Sequence, residues 1–269
     1  MFQNKLAIVT GGASGIGKEL CLELGKRGAK VIIADINLDK AQEVVNIIAN
    51  RGSNAIAIRT DVSKKESVKA LIDFAIMNYN RIDLLINNAG VGLDGEFRDM
   101  TLKHWERITN INYWGVVYGT HYAYKVMIEQ GFGQIVNVSS LAGLLPSGLM
   151  SSYVATKHSV VGFTLALRAE AYQYGIKVNV LCPGFIETSI QDTTPKVTDY
   201  LEKHHKTRDK SKFPTADQCV AKMIKGIEQN KAIIISPAKQ KVFWWLNRLF
   251  PTLMPIIWKK IIKHIKMGR

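Results

Sequence analysis

Cysteine is scarce in this sequence. The three cysteines, Cys21, Cys182 and Cys219, lie far apart along 269 residues. They are too few and too scattered for a disulfide framework, and there is no Cys-x-x-Cys pair or Cys/His cluster of the kind that binds zinc. We therefore expect a reducing compartment and no metal site.

Long apolar runs are also missing, although 47% of the residues are hydrophobic. No run reaches the roughly 18 uncharged apolar residues that a transmembrane helix needs. The first residues lead directly into an apolar run and a glycine loop, which leaves no room for a cleavable signal. These absences predict a cytoplasmic protein, and they leave open a peripheral contact with the inner face of a membrane.

Acidic residues are absent from the C-terminal end. From Ala238 to Arg269 there are eight Lys or Arg and no Asp or Glu, which leaves +6 of the net charge of +14 for the rest of the chain. This distribution argues against a broad nucleic-acid-binding surface, which would need basic and aromatic groups on the body. Because no linker divides it, the chain is expected to form one domain, 1–237, followed by a basic tail, 238–269.

Short β-branched runs alternate with longer stretches that are compatible with helices. This alternation predicts parallel strand pairing, with helices on both faces of the sheet. The expected fold is therefore α/β, a doubly wound, Rossmann-like parallel sheet of about seven strands. The predicted strands are 6–10, 30–35, 55–59, 83–87, 134–139, 177–181 and 232–236.

A glycine-rich loop, 10–17, follows the first predicted strand and opens a helix-like run. Glycines let a backbone approach a pyrophosphate closely, and free amides at a helix N-terminus hold its negative charge. The alternative is an ordinary glycine turn. The strand–loop–helix context favours a dinucleotide site.

Asp35 ends the next predicted strand, 18 residues after Gly17. A carboxylate at this position can accept hydrogen bonds from the adenosine ribose hydroxyls and would repel a 2′-phosphate. NAD is therefore favoured over NADP as the cofactor. The alternative is that Asp35 caps the helix that follows it.

Tyr153 and Lys157 stand four positions apart, and Ser140 lies thirteen positions before the tyrosine. On a helix, the phenol and the ammonium group would share a face, and the cation would lower the pKa of Tyr153 toward working pH. An exposed helix face is the alternative. A hydrolase built from Ser140 and His158 would lack the Gly-x-Ser-x-Gly elbow.

The glycine loop, the run 87–90 (Asn-Asn-Ala-Gly), Ser140, the Tyr153/Lys157 pair and Pro183-Gly184 occur in this order. Over residues 5–237 the chain thereby resembles the short-chain dehydrogenase/reductase family. The resemblance implies an oxidoreductase that transfers a hydride between NAD(H) and an alcohol or ketone. It also implies a homo-oligomer, paired through the helices of residues 101–129 and 152–174.

The family resemblance implies roles for individual residues. Tyr153 would be the acid/base, and Ser140 would bind the substrate oxygen. Lys157 would lower the pKa of Tyr153 together with oxidised nicotinamide and would also hold the nicotinamide ribose. Asn112, rather than its neighbour Asn110, matches the fourth catalytic position, where a helix backbone holds a water next to Lys157. The implied cofactor-binding residues are Gly11, Ser14, Gly15, Ile16, Gly17, Asp35, Asp61, Val62, Asn87, Ala89, Gly90, Tyr153, Lys157, Pro183, Gly184 and Thr188.

The loop 141–150, which borders the substrate in this family, carries five large apolar side chains and no charge. Val91, Gly92 and Leu93 add to this apolar character. We therefore expect an apolar secondary alcohol or ketone of the steroid, retinoid or fatty-chain type. The alternative is that the leucines fill the core. The polar segment 191–212 corresponds to the variable lid of the family.

The tail pattern predicts an amphipathic basic helix opened by Pro255. Such a helix, with a tryptophan on its apolar side, can lie in the interface of an anionic membrane. The alternative is that the apolar side packs on the domain or on a second subunit. The apolar positions are Ile257, Trp258, Ile261, Ile262 and Ile265, and the opposing basic ones are Lys259, Lys260, Lys263 and Lys266.

Two other functions compete with the enzyme hypothesis. A catalytically silent, membrane-associated NAD sensor or scaffold would need the glycine loop but not the acid/base group. Nucleic-acid binding through the tail would weaken steeply with salt. The complete set of Asn112, Ser140, Tyr153 and Lys157 favours an enzyme, and no nucleic-acid partner is expected.

Overall fold

Seven parallel strands form a single sheet in the computed structural model, which describes residues 2–187, 190, 194–198, 200–202 and 213–267. The strands are β1 (Leu6–Thr10), β2 (Lys30–Asp35), β3 (Ala55–Arg59), β4 (Leu84–Asn87), β5 (Gly133–Val138), β6 (Ile176–Pro183) and β7 (Ile233–Ser236). Their order in the sheet is β3-β2-β1-β4-β5-β6-β7. The predicted doubly wound fold is confirmed, and the first three strands have the predicted bounds.

The sheet is buried on both faces, which explains its runs of apolar residues without alternation. Every residue of β1 is buried, and β1 pairs with β2 from Leu6↔Lys30 to Thr10↔Ala34. β6 continues two residues beyond its predicted end, because Cys182 and Pro183 still pair with β7. This extension carries Pro183 to the edge of the sheet where the candidate site lies.

Helices cover the two faces of the sheet. The body contains α1 (Gly15–Lys26), α2 (Leu38–Ala49), α3 (Lys65–Tyr79), α4 (Leu102–Thr109), α5 (Gly115–Gln130), α6 (Ser151–Ala171) and α7 (Ala216–Glu228), and the tail contains α8 (Lys241–Leu249) and α9 (Leu253–Lys266). Buried side chains of α1, α2 and α7 form one core cluster, and those of α3, α5 and α6 form the other.

The tail packs on the domain. Trp244 of α8 joins a third apolar cluster with Leu145, Val160 and Ile235, and α9 buries Met254 and Ile265. Within the described parts of the chain, no helix combines the length and the apolarity needed to span a bilayer. The buried face of α9 therefore docks on the domain, which is the alternative to membrane contact.

The strand order reverses between β1 and β4. In open α/β sheets, ligands bind in the crevice at the carboxyl ends of the strands on either side of such a switch point. The glycine loop follows β1, and the Asn-Asn-Ala-Gly run ends β4. The fold therefore brings these two sequence motifs to the same crevice.

Candidate active site

The glycine loop closes tightly over the N-terminus of α1. Gly11 has φ +64°, and a Cβ there would lie 2.8 Å from Ala89 Cα. A Cβ on Gly17 would collide with the carbonyl oxygen of Gly11. α1 begins at Gly15 after an extended Ser14, whose side chain makes no capping hydrogen bond. Because no side chain caps them, the first-turn amides of α1 stay available to a pyrophosphate.

Asn88, which the sequence analysis did not assign a role, joins the two halves of the crevice. Its Nδ2 donates to the carbonyl oxygens of Thr10 (3.0 Å) and Gly11 (3.1 Å). In return, Thr10 Oγ1 accepts from the backbone N–H groups of Asn88 (3.0 Å) and Ala89 (3.1 Å). These bonds fix the glycine loop against the end of β4. The available signal was a polar residue directly after a strand at the switch point.

Asn87 ends β4, and its side chain points away from the glycine loop. Its side chain is buried, and its Nδ2 donates to Asn137 Oδ1 at 2.9 Å and to Thr120 Oγ1 at 3.1 Å. Successive strand residues point to opposite faces, so Asn87 enters the core while Asn88 faces the glycine loop. The Asn87 side chain therefore belongs to a polar network between β4, β5 and α5, and a contact of Asn87 with the cofactor stays a prediction.

Asp35 lies at the end of β2 and braces the glycine loop. Its Oδ2 accepts from the Ala13 N–H at 3.0 Å, and its Oδ1 accepts from the Asn37 N–H at 3.0 Å. The cap of α2 is Asn37, whose side chain accepts from Lys40 N–H, so Asp35 does not fill the capping role that was its alternative. Each carboxylate oxygen can accept a second hydrogen bond, which leaves acceptor capacity for ribose hydroxyls.

Asp61 and Val62 follow β3 at the same edge of the sheet. Asp61 Oδ1 accepts from the backbone N–H and the hydroxyl of Ser63, at 3.0 and 2.7 Å. Val62 is buried and packs against Gly115, where a Cβ would lie 3.0 Å from it. Both residues are therefore held in place at the side of the crevice where the adenine of a dinucleotide is expected.

Tyr153 and Lys157 lie one turn apart on α6, as predicted. The Lys157 Nζ is 5.7 Å from the centroid of the Tyr153 ring. Ser140 follows β5. Its hydroxyl accepts from Ala142 N–H at 3.1 Å, donates to the Pro183 carbonyl oxygen at 3.4 Å and lies close enough to Tyr153 to lower the pKa of the phenol. Its neighbour Ser139 is buried and donates to the Lys157 carbonyl oxygen at 2.8 Å, which anchors α6.

Lys157 and Asn112 are buried beside each other. The Lys157 Nζ donates to the Val138 carbonyl oxygen at 3.0 Å. Asn112 lies in a π-helical turn, Asn110–Trp114, and its side chain pairs with the backbone of Val91: Oδ1 accepts at 2.8 Å and Nδ2 donates at 2.9 Å. Asn110 is exposed, so the structure brings Asn112 and not its neighbour to the site.

Gly90 connects the crevice at the glycine loop with the buried Lys157 and Asn112. A Cβ on Gly90 would lie 3.3 Å from Asn112 Oδ1 and 3.4 Å from Lys157 Nζ. The preceding residue, Ala89, contacts Gly11 of the glycine loop. The short segment after β4 thus touches both the expected phosphate site and the buried lysine.

Burial shifts the pKa values of both Tyr153 and Lys157. Burial raises the pKa of Tyr153, and the nearby Ser140 hydroxyl opposes this effect only in part. Burial also lowers the pKa of Lys157 from its usual 10.5 to about 8. The expected lowering of the Tyr153 pKa by Lys157 together with oxidised nicotinamide stays a prediction.

The Pro183-Gly184 turn rests on a residue from the tail. The Gly184 N–H donates to the Ser236 carbonyl oxygen at 2.9 Å, and the Phe185 N–H donates to Gln240 Oε1 at 3.0 Å. Gln240 is buried and would collide with any side chain at Gly184. Sequence reasoning missed Gln240, because nothing in its local pattern marks a contact with a loop more than fifty residues away.

Some expectations fall away or lie outside the described residues. His158 is exposed, and its Nδ1 lies 3.0 Å from the Val154 carbonyl oxygen of its own helix, which leaves no Ser140–His158 pair for a hydrolase. Thr188 and most of the segment 191–212 are not among the described residues. Within the described residues, no group of His, Cys, Asp or Glu could hold a metal ion, and the three cysteines are buried and free.

A glycine-lined helix N-terminus at the switch point of a parallel sheet, next to a buried lysine and a partly buried tyrosine and serine, defines a dinucleotide-dependent oxidoreductase. Comparison with known families gives the same result: the profile described as short chain dehydrogenase matches residues 5–198. The chain belongs to the short-chain dehydrogenase/reductase family, and its expected resemblance to that family is confirmed.

Individual relatives agree with this assignment. The chain is 38% identical over 190 residues to a cyclohexanol dehydrogenase from Acinetobacter sp. (strain SE19), covering 70% of this chain and 76% of the relative. It is 32% identical over 266 residues to dehydrogenase/reductase SDR family protein 7-like from Dictyostelium discoideum, covering 96% and 82%. Because that match covers 96% of this chain, it extends into the tail.

Among solved structures, a short chain dehydrogenase/reductase from Burkholderia phymatum in complex with NAD superimposes with a TM-score of 0.86. The two chains are 27% identical, and the match covers 94% of this chain and 95% of the other. That relative shows that the same architecture binds NAD in a member of the family.

Proposed function

We propose that the protein transfers a hydride between NAD(H) and an apolar secondary alcohol or ketone. The observation that carries the proposal is the placement of Tyr153 near Ser140 and one helical turn from the buried Lys157, at the end of the crevice lined by the glycine loop. When bound, the oxidised nicotinamide supplies the acceptor for the hydride of the carbinol C–H bond, and the alcohol leaves as a ketone with release of one proton.

The side chains handle that proton and the substrate oxygen. Ser140 holds the oxygen through its hydroxyl, and Tyr153 takes the hydroxyl proton in oxidation or returns one in reduction. Lys157 is buried one turn away, where its charge favours the phenolate form of Tyr153 and its Nζ can hold the nicotinamide ribose. The backbone of the π-helical turn at Asn112 would hold the water that passes the proton to solvent.

The cofactor is proposed to be NAD rather than NADP, because Asp35 places a partly exposed carboxylate at the end of β2. Asp35→Ala is expected to lower the ratio of kcat/KM for NAD over NADP by at least about tenfold, since both a ribose acceptor and a repulsive charge are lost. Steady-state kinetics with each cofactor measure the ratio.

Two control variants sharpen this cofactor test. Asp35→Asn keeps one acceptor oxygen but removes the charge, and Asp39→Ala removes an exposed carboxylate from the first turn of α2. The second should leave the ratio unchanged. A wild-type protein that already prefers NADP would refute the role of Asp35.

The substrate class rests on fewer residues than the sequence suggested. Leu141 and Leu145 are buried in the core, as the alternative interpretation held. Leu144, Leu149 and Met150 remain partly exposed in the loop 141–150 and support an apolar substrate of the steroid, retinoid or fatty-chain type. One relative is named for cyclohexanol, an apolar cyclic alcohol.

A panel of alcohols tests this substrate class. Cyclohexanol, 4-alkylcyclohexanols, a steroid alcohol and retinol should be oxidised with a higher kcat/KM than sorbitol, as followed by the absorbance of the reduced cofactor. The proposal fails if sorbitol is preferred. A chain that binds NAD but oxidises no member of the panel would instead be the silent sensor or scaffold.

We also propose that the tail contacts anionic membranes, through a face different from the one predicted. On α9, Trp258 and Ile262 point to the domain, whereas Ile256, Ile257 and Ile261 stay exposed. The larger exposed apolar face belongs to α8 and the residue after it. It consists of Val242, Phe243, Trp245, Leu249 and Phe250, with Lys239, Lys241 and Arg248 close by in sequence.

Vesicle co-sedimentation tests this α8 face. Replacing Trp245 and Phe250 together by Ser should weaken binding to vesicles containing phosphatidylserine by at least about tenfold, because two large apolar groups no longer insert. Phe97→Ser, which alters an exposed aromatic on the body, is the control. Equal sedimentation of the double variant and the wild type would exclude the membrane contact.

Pairing of two copies through α5 and α6 stays an expectation of the family resemblance. Trp114, at the start of α5, is an exposed aromatic group on that side of the molecule, and it stacks on Tyr118 at 5.8 Å.

A further inference from the structure

The inward face of α9 rests on the loop that joins the catalytic serine to the catalytic tyrosine. Gly148 lies in this loop, between Ser140 and Tyr153. A Cβ on Gly148 would lie 2.7 Å from Ile262 Cδ1 and 3.2 Å from Trp258 Cε3. The absence of a side chain at Gly148 is therefore what lets α9 approach the loop so closely.

α9 presents one continuous stripe to the domain. Met254, Trp258, Ile262 and Ile265 are spaced by four, four and three residues, which places them on one side of a helix. Met254 and Ile265 are buried, and Trp258 and Ile262 are partly buried between them. The two residues at the centre of the stripe are the ones that contact Gly148.

A polar latch holds the C-terminal end of α9. The Lys266 Nζ lies 2.7 Å from Glu96 Oε1, which also accepts from the Tyr200 hydroxyl at 2.7 Å. The pKa of Glu96 is lowered, first by its hydrogen bond with Lys266 and then by the one with Tyr200. Glu96 thus joins α9 to a segment that follows β4 and to the residue Tyr200 beyond β6.

The segment that ends in Glu96 borders the catalytic group. The Gly95 N–H donates to the Leu149 carbonyl oxygen at 2.7 Å, so this segment and the loop 141–150 lie side by side. Asp94 is close enough to Tyr153 for its charge to raise the pKa of the phenol. The tail therefore touches both chain segments that surround the approach to Tyr153.

We propose that α9 forms the outer wall of the substrate site, and that Trp258 and Ile262 contact the part of an apolar substrate farthest from the reacting carbon. This inference rests on the proposed function and names the residues that select its substrate. The ligand is an alcohol or ketone with a bulky alkyl or ring substituent. Small cyclic alcohols do not extend to this wall.

Kinetics with cyclohexanol and a series of 4-alkylcyclohexanols of increasing chain length test the wall. Trp258→Ala should lower kcat/KM for the longest members by about tenfold through KM, because an apolar contact is lost. The values for cyclohexanol and for NAD should stay unchanged. Ile256→Ala, at an exposed position of the same helix, is the matched control and should change nothing.

Two further variants separate a substrate contact from a merely structural role. Ile262→Val is a small change in the same wall, and E96Q weakens the latch while Trp258 stays intact. Both should lower the preference for long-chain substrates, while the melting temperature and cyclohexanol turnover are kept. The proposal would be overturned by any of three results: an unchanged substrate preference in all variants, an equal loss of kcat/KM for cyclohexanol and long-chain substrates, or an increased preference for long chains.

A binding measurement keeps the test independent of turnover. Titration of the full chain with 4-hexylcyclohexanol should change its tryptophan fluorescence, and Trp258→Phe should remove this change. If the wild type oxidises no alcohol but shows the Trp258-dependent signal, the proposed function fails and the wall stands. If it oxidises alcohols without such a signal or a selectivity change, the wall fails alone.

Discussion

Tyr153→Phe is expected to reduce alcohol oxidation by about a thousandfold while NAD still binds with unchanged affinity, because general acid–base groups contribute factors of this order. The substitution removes only the phenolic hydroxyl. The ring stays in place on α6, and the glycine loop and Asp35 that would hold the cofactor are untouched. Turnover is measured by the absorbance of the reduced cofactor, and affinity by cofactor titration.

The raised pKa of Tyr153 also predicts how the oxidation rate of the wild type depends on pH. Because burial raises the pKa of Tyr153, the phenolate that accepts the proton becomes more abundant as pH increases. Oxidation should therefore speed up from neutral to alkaline pH, and reduction should not. Tyr172→Phe, at an 87% exposed tyrosine, is the matched control and should keep both rate and profile. Near-normal oxidation by Tyr153→Phe would remove Tyr153 from the mechanism.

Lys157→Met is expected to abolish turnover and, at pH 7, to raise the free energy of unfolding by about 2 kcal/mol. The shift of the Lys157 pKa from 10.5 to about 8 corresponds to a cost of about 3 kcal/mol for burying the charge. Methionine lacks that charge and has a similar length. The lost hydrogen bond to the Val138 carbonyl oxygen offsets about 1 kcal/mol of the gain.

The size of this effect on the free energy of unfolding depends on pH. The unfolded chain binds the Lys157 proton more tightly than the folded protein does. Below pH 8 the buried lysine is charged, and the full cost of burying that charge lowers the free energy of unfolding of the wild type. Between pH 8 and 10.5 the penalty disappears as the folded lysine loses its proton first. The advantage of Lys157→Met in the free energy of unfolding should therefore be largest below pH 8 and shrink as pH rises.

Urea unfolding without cofactor at pH 7 and at pH 10 measures this difference. Lys125→Met, at an exposed lysine of α5, should show little change at either pH. A variant that is less stable than the wild type at pH 7, or a difference that does not depend on pH, would contradict the buried-charge argument.

The sequence alone predicts those parts of the fold and of the site that depend on a local residue pattern. The apolar runs of β1, β2 and β3 specify strands buried on both faces, and the helical spacing of Tyr153 and Lys157 specifies their shared side of α6. The glycines at positions 11 and 17 indicate the close backbone approach that the structure contains. These features depend on period and residue size, which can be read without tertiary contacts.

Other features depend on contacts between distant segments. Whether Asn87 or Asn88 faces the glycine loop is decided by the phase of a four-residue strand. The raised pKa of Tyr153 follows from burial, which its spacing to Lys157 does not reveal. On α9, the apolar positions were identified correctly, but only packing on Gly148 shows that Trp258 and Ile262 face inward while Ile257 stays exposed.

The bond from Gln240 to the turn after β6 bears on how such proteins are recombined. A chimera joined at residue 237 would bring a foreign residue to position 240 and deprive the Phe185 N–H of its acceptor. The same exchange would leave space beside Gly184 that the glutamine now fills. A junction placed after Lys241 keeps this contact with the native body. A chimera therefore has to take the body and the first residues of the tail, through Gln240, from the same parent.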